Sequence, residues 1–255
     1  AVLGRVCFHP CEQACKRGYV DQPLSICSLK RFASDQYDIA TLPIPEITKT
    51  GKKVAIVGAG PAGLTAAHDL ALAGHDVTIF EALPEPGGMV RVGIPEYRMP
   101  RKELRQDIEY IQKLGVEIKT NARVGEKPKL SELQKLYDAV LMASGAHNSL
   151  KLGVPGEESQ GVFHGIDFLR AVNLGQKVEI GQRVAVVGGG NTAIDAARVA
   201  RRLRSTVTIV YRRGRDEMPA NDVEIEAAEA EGIQIMLLTA PTKVIAEGGK
   251  VMAME

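Results

Sequence analysis

Two glycine-rich segments of the same design carry the clearest chemical signal in this sequence. A G-x-G-x-x-G pattern occupies residues 58–63, and a second pattern, with alanine in place of the third glycine, occupies residues 188–193. Each pattern follows a short run of β-branched residues and precedes a helix-forming stretch. In that context the glycines allow a tight turn and bring backbone N–H groups close to a pyrophosphate, at the positive end of the helix dipole. The sequence therefore predicts two dinucleotide-binding sites.

The residues that close the next strand distinguish the two sites. Glu81 stands about twenty positions after the first pattern, where a carboxylate can bind a ribose diol and would repel a 2′-phosphate. This site is therefore predicted to hold FAD or NAD, and Pro61 together with the glycine pair Gly87-Gly88 favours FAD. Arg212 and Arg213 stand at the corresponding place in the second site, where two guanidinium groups suit the 2′-phosphate of NADPH. The alternatives are a turn without a ligand and a solvated basic turn.

Four cysteines lie near the start of the chain, at Cys7, Cys11, Cys15 and Cys27. Their spacing is wider than the C-x2-C pairs of zinc sites, and disulfide frameworks are unusual in cofactor-bearing α/β proteins. Thiolates that accompany flavin and nicotinamide sites suit an iron–sulfur cluster, which accepts electrons singly; inert buried thiols are the alternative. Because no cysteine follows Cys27, a disulfide reductase is not expected. A flavin monooxygenase would share both glycine patterns but would leave the cysteines unexplained.

The bulk composition excludes several other classes. Of the 255 residues 45% are hydrophobic and 25% are charged, and the formal net charge is +1. This balance gives no reason to expect nucleic acid or a membrane surface as a partner. No apolar run approaches the roughly 20 residues of a membrane helix, and no signal-peptide pattern opens the chain. We therefore expect a cytoplasmic protein.

The pattern of elements predicts an α/β protein with two Rossmann-like units, preceded by a short helical segment. The predicted domains are a cysteine-bearing iron–sulfur segment (1–48), an FAD-binding domain (49–152) and an NAD(P)H-binding domain (153–255). The predicted strands cover 54–57, 77–80, 116–119, 138–143, 183–187, 206–210 and 233–238, with a hairpin of 243–246 and 250–254. The predicted helices cover 24–32, 61–73, 102–114, 130–137, 192–203 and 221–231, and 84–100 is predicted to be a loop. The second unit, starting at 183, cannot complete its sheet by 255, so a fragment is expected.

Taken together, these residues resemble the NADPH-oxidising small subunit of glutamate synthase and its relatives. These relatives include the reductase half of dihydropyrimidine dehydrogenase and flavoprotein subunits of some ferredoxin- and formate-linked complexes. The resemblance covers essentially the whole chain. It rests on Gly4-Arg-Val-Cys7, Cys11-Glu-Gln-Ala-Cys15, Ile26-Cys-Ser-Leu-Lys-Arg-Phe32, Gly87-Gly-Met-Val-Arg-Val-Gly-Ile-Pro95, Ala143-Ser-Gly145, Gly188-Gly-Gly-Asn-Thr-Ala-Ile-Asp195, Tyr211-Arg-Arg213 and Glu217-Met-Pro219.

The resemblance implies FAD in the first unit, NADPH in the second, and two 4Fe–4S clusters in the N-terminal region that carry electrons to a partner subunit. With the glycine patterns, it predicts FAD contacts at Gly58, Gly60, Pro61, Ala62, Gly63, Glu81, Gly88, Ser144 and Gly145. The predicted NADPH contacts are Gly188, Gly190, Asn191, Thr192, Arg212 and Arg213. The predicted cluster ligands are Cys7, Cys11, Cys15 and Cys27.

Three departures from the family pattern matter. The family's first cysteine group would precede this chain, so four thiols cannot build two complete clusters. Cys27 stands near a position where some members use a non-cysteine ligand. The C-terminal return segment that completes the flavin site in the family is absent.

The expected activity is hydride transfer from NADPH to FAD, followed by single-electron transfer to a larger subunit. No side chain is predicted to be catalytic. A non-catalytic electron-bridging module is the alternative.

Overall fold

The computed structural model describes residues 1–255, which form two compact units. The first unit comprises Ala1–Arg91 and Glu96–Ala146, and the second comprises Val92–Pro95 and His147–Glu255. Each unit is built on a parallel sheet with helices, so the predicted α/β class is confirmed. None of the helices is both long enough and apolar enough to span a bilayer.

The N-terminal part of the first unit is helical. Its α-helices are short, and two 3₁₀ turns lie at Lys16–Tyr19 and Ile39–Thr41. The helices are α1 (Leu3–Val6), α2 (Pro10–Gln13) and α3 (Ile26–Asp35). Salt bridges attach this segment to a later helix of the same unit, because the amino terminus contacts Asp107 at 3.2 Å and Arg5 contacts Glu103 at 3.8 Å.

A four-stranded parallel sheet forms the core of the first unit, in the order β3-β2-β1-β4. The strands are β1 (Lys53–Val57), β2 (Asp76–Phe80), β3 (Glu117–Lys119) and β4 (Ala139–Met142). The helices are α4 (Pro61–Leu72), α5 (Gly88–Val92), α6 (Arg101–Lys113) and α7 (Leu130–Leu136). Ile56 and Ile79 are fully buried in the two central strands, as expected for β-branched residues in a parallel sheet covered by helices. The carboxyl ends of β1, β2 and β4 lie at one edge of this sheet.

The second unit repeats this plan with three parallel strands, in the order β5-β6-β7. The strands are β5 (Arg183–Val187), β6 (Thr206–Val210) and β7 (Gln234–Met236), followed by an antiparallel hairpin of β8 (Val244–Glu247) and β9 (Lys250–Met254). The helices are α8 (Gly165–Asn173), α9 (Asn191–Arg202) and α10 (Asp222–Ala230), with a 3₁₀ turn at Arg215–Glu217. Ile194, Ile209 and Ile225 lie in its buried core.

One short segment joins the second unit from within the sequence of the first. Val92–Pro95 belongs to the second unit, where the side-chain amide of Asn173 donates hydrogen bonds to the carbonyl oxygens of Val92 at 2.8 Å and Ile94 at 3.4 Å. The chain therefore passes three times between the two units.

Most predicted elements are confirmed to within two residues, and strands 183–187 and 206–210 match at both ends. The main differences concern helices. The helix predicted at 24–32 lies at Ile26–Asp35, and the region predicted to be a loop contains α5. The predicted helices do not include α1, α2 or α8. A five-residue helix such as α5 is too short to show a helical period.

Candidate functional site

The first glycine turn, residues 58–63, leads tightly from β1 into α4. Gly58 has a φ of 105°, and a Cβ at that position would lie 2.4 Å from the carbonyl oxygen of Ala143. A Cβ on Gly63 would lie 2.0 Å from the carbonyl oxygen of Gly58. Both positions therefore accept only glycine, since the backbone of the turn fills the space that a side chain would need. Pro61 and Ala62 are exposed at the first turn of α4, where they face outward from the same helix N-terminus.

The glycine pair at 87–88 returns to this turn. The N–H of Gly87 donates a hydrogen bond to the carbonyl oxygen of Ala59 at 2.8 Å, and a Cβ on Gly88 would lie 2.6 Å from the Cα of Gly60. A Cβ on Gly60 would lie 3.8 Å from the Cα of Gly88, an ordinary contact, and nothing else lies within 4 Å of it. The structure therefore brings Gly60 and Gly88 together around a cradle that a Cβ would fill, which is the geometry a pyrophosphate requires.

An ion pair closes the loop that carries this glycine pair. The guanidinium group of Arg91 donates from Nε to Glu85 at 2.6 Å and from Nη2 to the second carboxylate oxygen at 2.8 Å. This bidentate contact holds the pKa of the Glu85 carboxyl below its usual value. The loop is therefore held in place by its own side chains.

The carboxylate of Glu81 lies under the first glycine turn. The residue is only 6% exposed, and its Oε2 accepts a hydrogen bond from the N–H of Ala59 at 2.7 Å while its Oε1 accepts one from the N–H of Leu83 at 2.8 Å. Sequence reasoning assigned this carboxylate to a ribose and missed its contacts with the protein backbone. Because each carboxylate oxygen can accept two hydrogen bonds, these backbone contacts leave one acceptor position on each oxygen without a hydrogen bond.

The residues that follow β4 lie beside the first glycine turn, at the carboxyl edge of the sheet. The N–H of Ala143 donates to the carbonyl oxygen of Val57 at 2.8 Å, and the Cα of Ser144 would lie 3.3 Å from a Cβ on Gly58. Gly145 follows with a φ of 69°. Ser144 therefore lies beside the glycine turn, and its contact with FAD stays a prediction.

The second glycine turn, residues 188–193, leads from β5 into α9. Gly188 has a φ of 134°, and its N–H donates to the carbonyl oxygen of Val210 at 3.0 Å. Gly190 is the N-cap of α9, and Asn191 and Thr192 form the first turn of that helix. A Cβ on Gly188 would make a tight contact of 3.3 Å with the methyl group of Ala193, so the alanine at the third position of this pattern leaves little room for a side chain on Gly188. The N–H groups of the turn and the helix dipole again favour a phosphate.

The arginine turn, residues 211–217, follows β6 at the same edge of the sheet. Arg212 and Arg213 are exposed; Arg213 is 3.9 Å from the carboxylate of Glu217, and Arg212 makes no hydrogen bond or ion pair. The ring of Tyr211 packs against the second glycine turn, because a Cβ on Gly189 would lie 2.7 Å from two ring carbons. The two arginines therefore lie near the glycine turn with guanidinium groups open to a ligand.

The cysteines do not form a metal site. Cys7, Cys15 and Cys27 are partly buried, Cys11 is exposed, and all four are free thiols. No group of three or more His, Cys, Asp or Glu side chains is arranged to hold a metal ion. The structure therefore does not show an iron–sulfur site at these thiols, and their role as cluster ligands stays a prediction.

Three comparisons relate this chain to known proteins. A family model described as pyridine nucleotide-disulphide oxidoreductase matches residues 52–255. The beta subunit of an NADP(+)-dependent formate dehydrogenase from Moorella thermoacetica is 48% identical over 100% of this chain and 40% of its own length. The beta subunit of an NADPH-Fe(3+) oxidoreductase from Geobacter sulfurreducens is also 48% identical, over 97% of this chain and 38% of its own length. The chain thus spans about 40% of the length of these relatives.

A solved structure shares the fold of both glycine-containing units. The His57Gln mutant of FprA from Mycobacterium tuberculosis matches with a TM-score of 0.70 and 25% sequence identity, covering 79% of this chain and 62% of that protein.

Proposed function

This chain belongs to the pyridine nucleotide-disulphide oxidoreductase family, and from that premise we propose that it oxidises NADPH with a bound FAD and passes the electrons to a partner subunit. The contrast between the two glycine turns carries this proposal. The first turn has a buried carboxylate beside it, and the second has two exposed guanidinium groups. A carboxylate suits an unphosphorylated ribose and guanidinium groups suit a ribose 2′-phosphate, so the two sites select different dinucleotides.

In this proposal the residues of the chain bind and orient the two dinucleotides. Gly58, Gly60, Gly63 and Gly88 form a backbone cradle for the FAD pyrophosphate, and the remaining acceptor positions of Glu81 take the ribose hydroxyls. Flavin, when bound, accepts a hydride from a nicotinamide and releases the electrons one at a time. The side chains supply orientation and charge, and no residue of the chain acts as an acid or a base.

The second site takes the nicotinamide dinucleotide. The N–H groups at Gly190, Asn191 and Thr192 face the phosphates, and Arg212 and Arg213 bind the 2′-phosphate through charge-assisted hydrogen bonds. The chemistry within the matched residues 52–255 cannot involve thiols, because no cysteine follows Cys27. The disulphide named in the family description therefore has no counterpart in this part of the chain.

The names of the relatives support an electron-accepting partner, since both are beta subunits of larger oxidoreductases. We identify the partner only as a larger catalytic or electron-accepting subunit of the glutamate synthase type or of a related complex. Because the cysteines are not arranged around a common metal position, we propose no path for the electrons through them. The proposal includes a cytoplasmic location, because all four thiols are unpaired and reducing compartments keep thiols in that state.

Anaerobic titration of the flavin-loaded protein with NADPH and, separately, NADH tests the proposal. We expect NADPH to bleach the flavin absorbance at lower concentration than NADH does. The double substitution Arg212→Glu and Arg213→Glu should weaken NADPH about a hundredfold and NADH less than tenfold, because each lost guanidinium–phosphate contact has the strength of a charged hydrogen bond.

A matched control separates this effect from a change of net charge. Arg183 is exposed at the amino end of β5, away from the arginine turn, so Arg183→Glu should leave both affinities unchanged. Equal losses of NADPH and NADH in the double variant would contradict the assignment of the 2′-phosphate site. Absence of flavin reduction by either nucleotide would contradict the oxidoreductase function.

A further inference from the structure

We propose that Glu217 is a positioning residue that sets the preference of this chain for a 2′-phosphorylated nucleotide. Its side chain acts by fixing the shape of the arginine turn, which packs against the second glycine turn through Tyr211, and it does not contact the ligand. The inference rests on the proposed function, since it concerns the nucleotide that Arg212 and Arg213 bind.

Glu217 joins three parts of the arginine turn. Its Oε2 accepts a hydrogen bond from the N–H of Gly214 at 3.0 Å, and its carbonyl oxygen accepts one from the hydroxyl of Tyr211 at 2.7 Å. Its Oε1 lies 3.9 Å from Nε of Arg213. The residue therefore connects the start of the turn, its middle and one of its two arginines.

The other end of this connection is the second glycine turn. The ring of Tyr211 lies so close to Gly189 that a Cβ there would meet ring carbons at 2.7 Å, and the N–H of Ala220 donates to the carbonyl oxygen of Gly189 at 3.1 Å. Tyr211 is thus held at its ring by the glycine turn and at its hydroxyl by the backbone carbonyl of Glu217. The distance between the phosphate-binding backbone and the two guanidinium groups depends on these contacts.

A carboxylate beside two ligand-binding arginines has two possible effects, and they have opposite signs. As a competing anion it would weaken phosphate binding, whereas as a positioning group it would strengthen binding. The contact with Arg213 is long, and both side chains are more than half exposed, so the ion pair itself is weak. The hydrogen bond to Gly214 is shorter and within ordinary geometry. The geometry therefore favours positioning.

The test compares 2′,5′-ADP with 5′-AMP, two probes that differ by the 2′-phosphate and need no flavin. Isothermal calorimetry on the flavin-loaded protein would give both dissociation constants. Glu217→Ala should weaken 2′,5′-ADP about five- to tenfold, the effect of one lost hydrogen bond, and should change 5′-AMP less than twofold. Glu217→Gln keeps an oxygen that can accept from Gly214, so it should stay within twofold of the wild type.

Two further variants complete the design. Asp216→Asn removes one negative charge from the same turn at an exposed side chain that makes no hydrogen bond or ion pair, so it should leave the ratio of the two affinities unchanged. Tyr211→Phe removes only the hydroxyl and should lower the 2′,5′-ADP affinity about threefold. If Glu217→Ala does not fold, Glu217→Leu takes its place with the same expected loss, because leucine also lacks an oxygen that can accept from Gly214.

The outcomes separate this inference from the proposed function. If the wild type does not prefer 2′,5′-ADP over 5′-AMP, the NADPH assignment fails and the positioning role fails with it. If the wild type does prefer 2′,5′-ADP, unchanged or tighter binding by Glu217→Ala overturns the positioning role alone. Equal effects of Glu217→Ala, Glu217→Gln and Asp216→Asn would also overturn it, because they would show that only charge matters.

Discussion

Replacing Glu81 by glutamine should destabilise the first unit even when no flavin is bound. The two carboxylate oxygens accept hydrogen bonds from the N–H groups of Ala59 and Leu83, and the side chain is almost fully buried. A glutamine side chain has one acceptor oxygen, so its NH₂ group would face the second N–H donor. Glu81→Gln therefore loses one charge-assisted hydrogen bond and leaves one buried donor without a partner.

The size of the effect follows from these two losses. A hydrogen bond to a charged group contributes about 1.5–3 kcal/mol, and an unsatisfied buried donor costs about 1–3 kcal/mol. The two quantities overlap, because they describe the same pair of atoms. We therefore expect the free energy of unfolding to fall by about 2–4 kcal/mol.

Urea unfolding of the flavin-free protein measures this change, and native-state hydrogen exchange at the amides of Gly58 and Ala59 assigns it to the first glycine turn. Glu126→Gln is the control, because its side chain is 78% exposed and pairs only with Arg123 at 3.7 Å. The control should leave the free energy of unfolding unchanged. If Glu81→Gln unfolds like the wild type without flavin and loses only FAD affinity, the carboxylate is solely a ligand group and our reasoning is wrong.

Two other predictions concern packing and pH. Gly63→Ala should lower the stability of the first unit by about 1–3 kcal/mol and abolish flavin binding in an absorbance titration, because its Cβ would lie 2.0 Å from a backbone oxygen of the glycine turn. Gly165→Ala, whose Cβ would make only an ordinary contact at 3.4 Å, should be tolerated in the same assay. Burial alone would raise the pKa of Glu231, but hydrogen bonds from Arg202 and Arg198 lower it to about 2. The ionised Glu231 carboxylate should therefore add at most about 3 kcal/mol to the free energy of unfolding. This contribution should be complete above pH 4.5 and should be lost as the pH falls towards 2. Glu231→Gln should remove this pH dependence from acid unfolding curves.

The parts of the fold that the sequence predicts well are those with a strong local signal. Strand 206–210 is a continuous β-branched run, and strand 183–187 is apolar after its first residue, Arg183, so the pattern predicts both ends of each strand correctly. The glycine turns were predictable for a similar reason, because only glycine accepts the close backbone contacts found at Gly58 and Gly63. Local sequence is sufficient wherever local sterics decide the conformation.

The features of the site that the sequence does not predict depend on how the folded chain places side chains relative to one another. No pattern around Glu81 indicates that both of its oxygens accept hydrogen bonds from backbone N–H groups, since that depends on where β2 places the side chain under the glycine turn. In the sequence, Glu217 is only part of a motif shared with the family. Its contacts with Gly214 and Tyr211 depend on the fold of the turn. The cysteine spacing predicts an iron–sulfur cluster, and it stays a prediction, because spacing along the chain does not fix how the thiols are arranged in space.

The segment Val92–Pro95 has a practical consequence for work on separate halves of this protein. A single cut at residue 146 would produce a C-terminal piece whose Asn173 amide has lost the carbonyl groups of Val92 and Ile94 as acceptors. The N-terminal piece would carry that tetrapeptide without the helix that it contacts. A split version of this protein would therefore have to supply the tetrapeptide to the C-terminal half, for example as an added peptide or by a rearranged chain order.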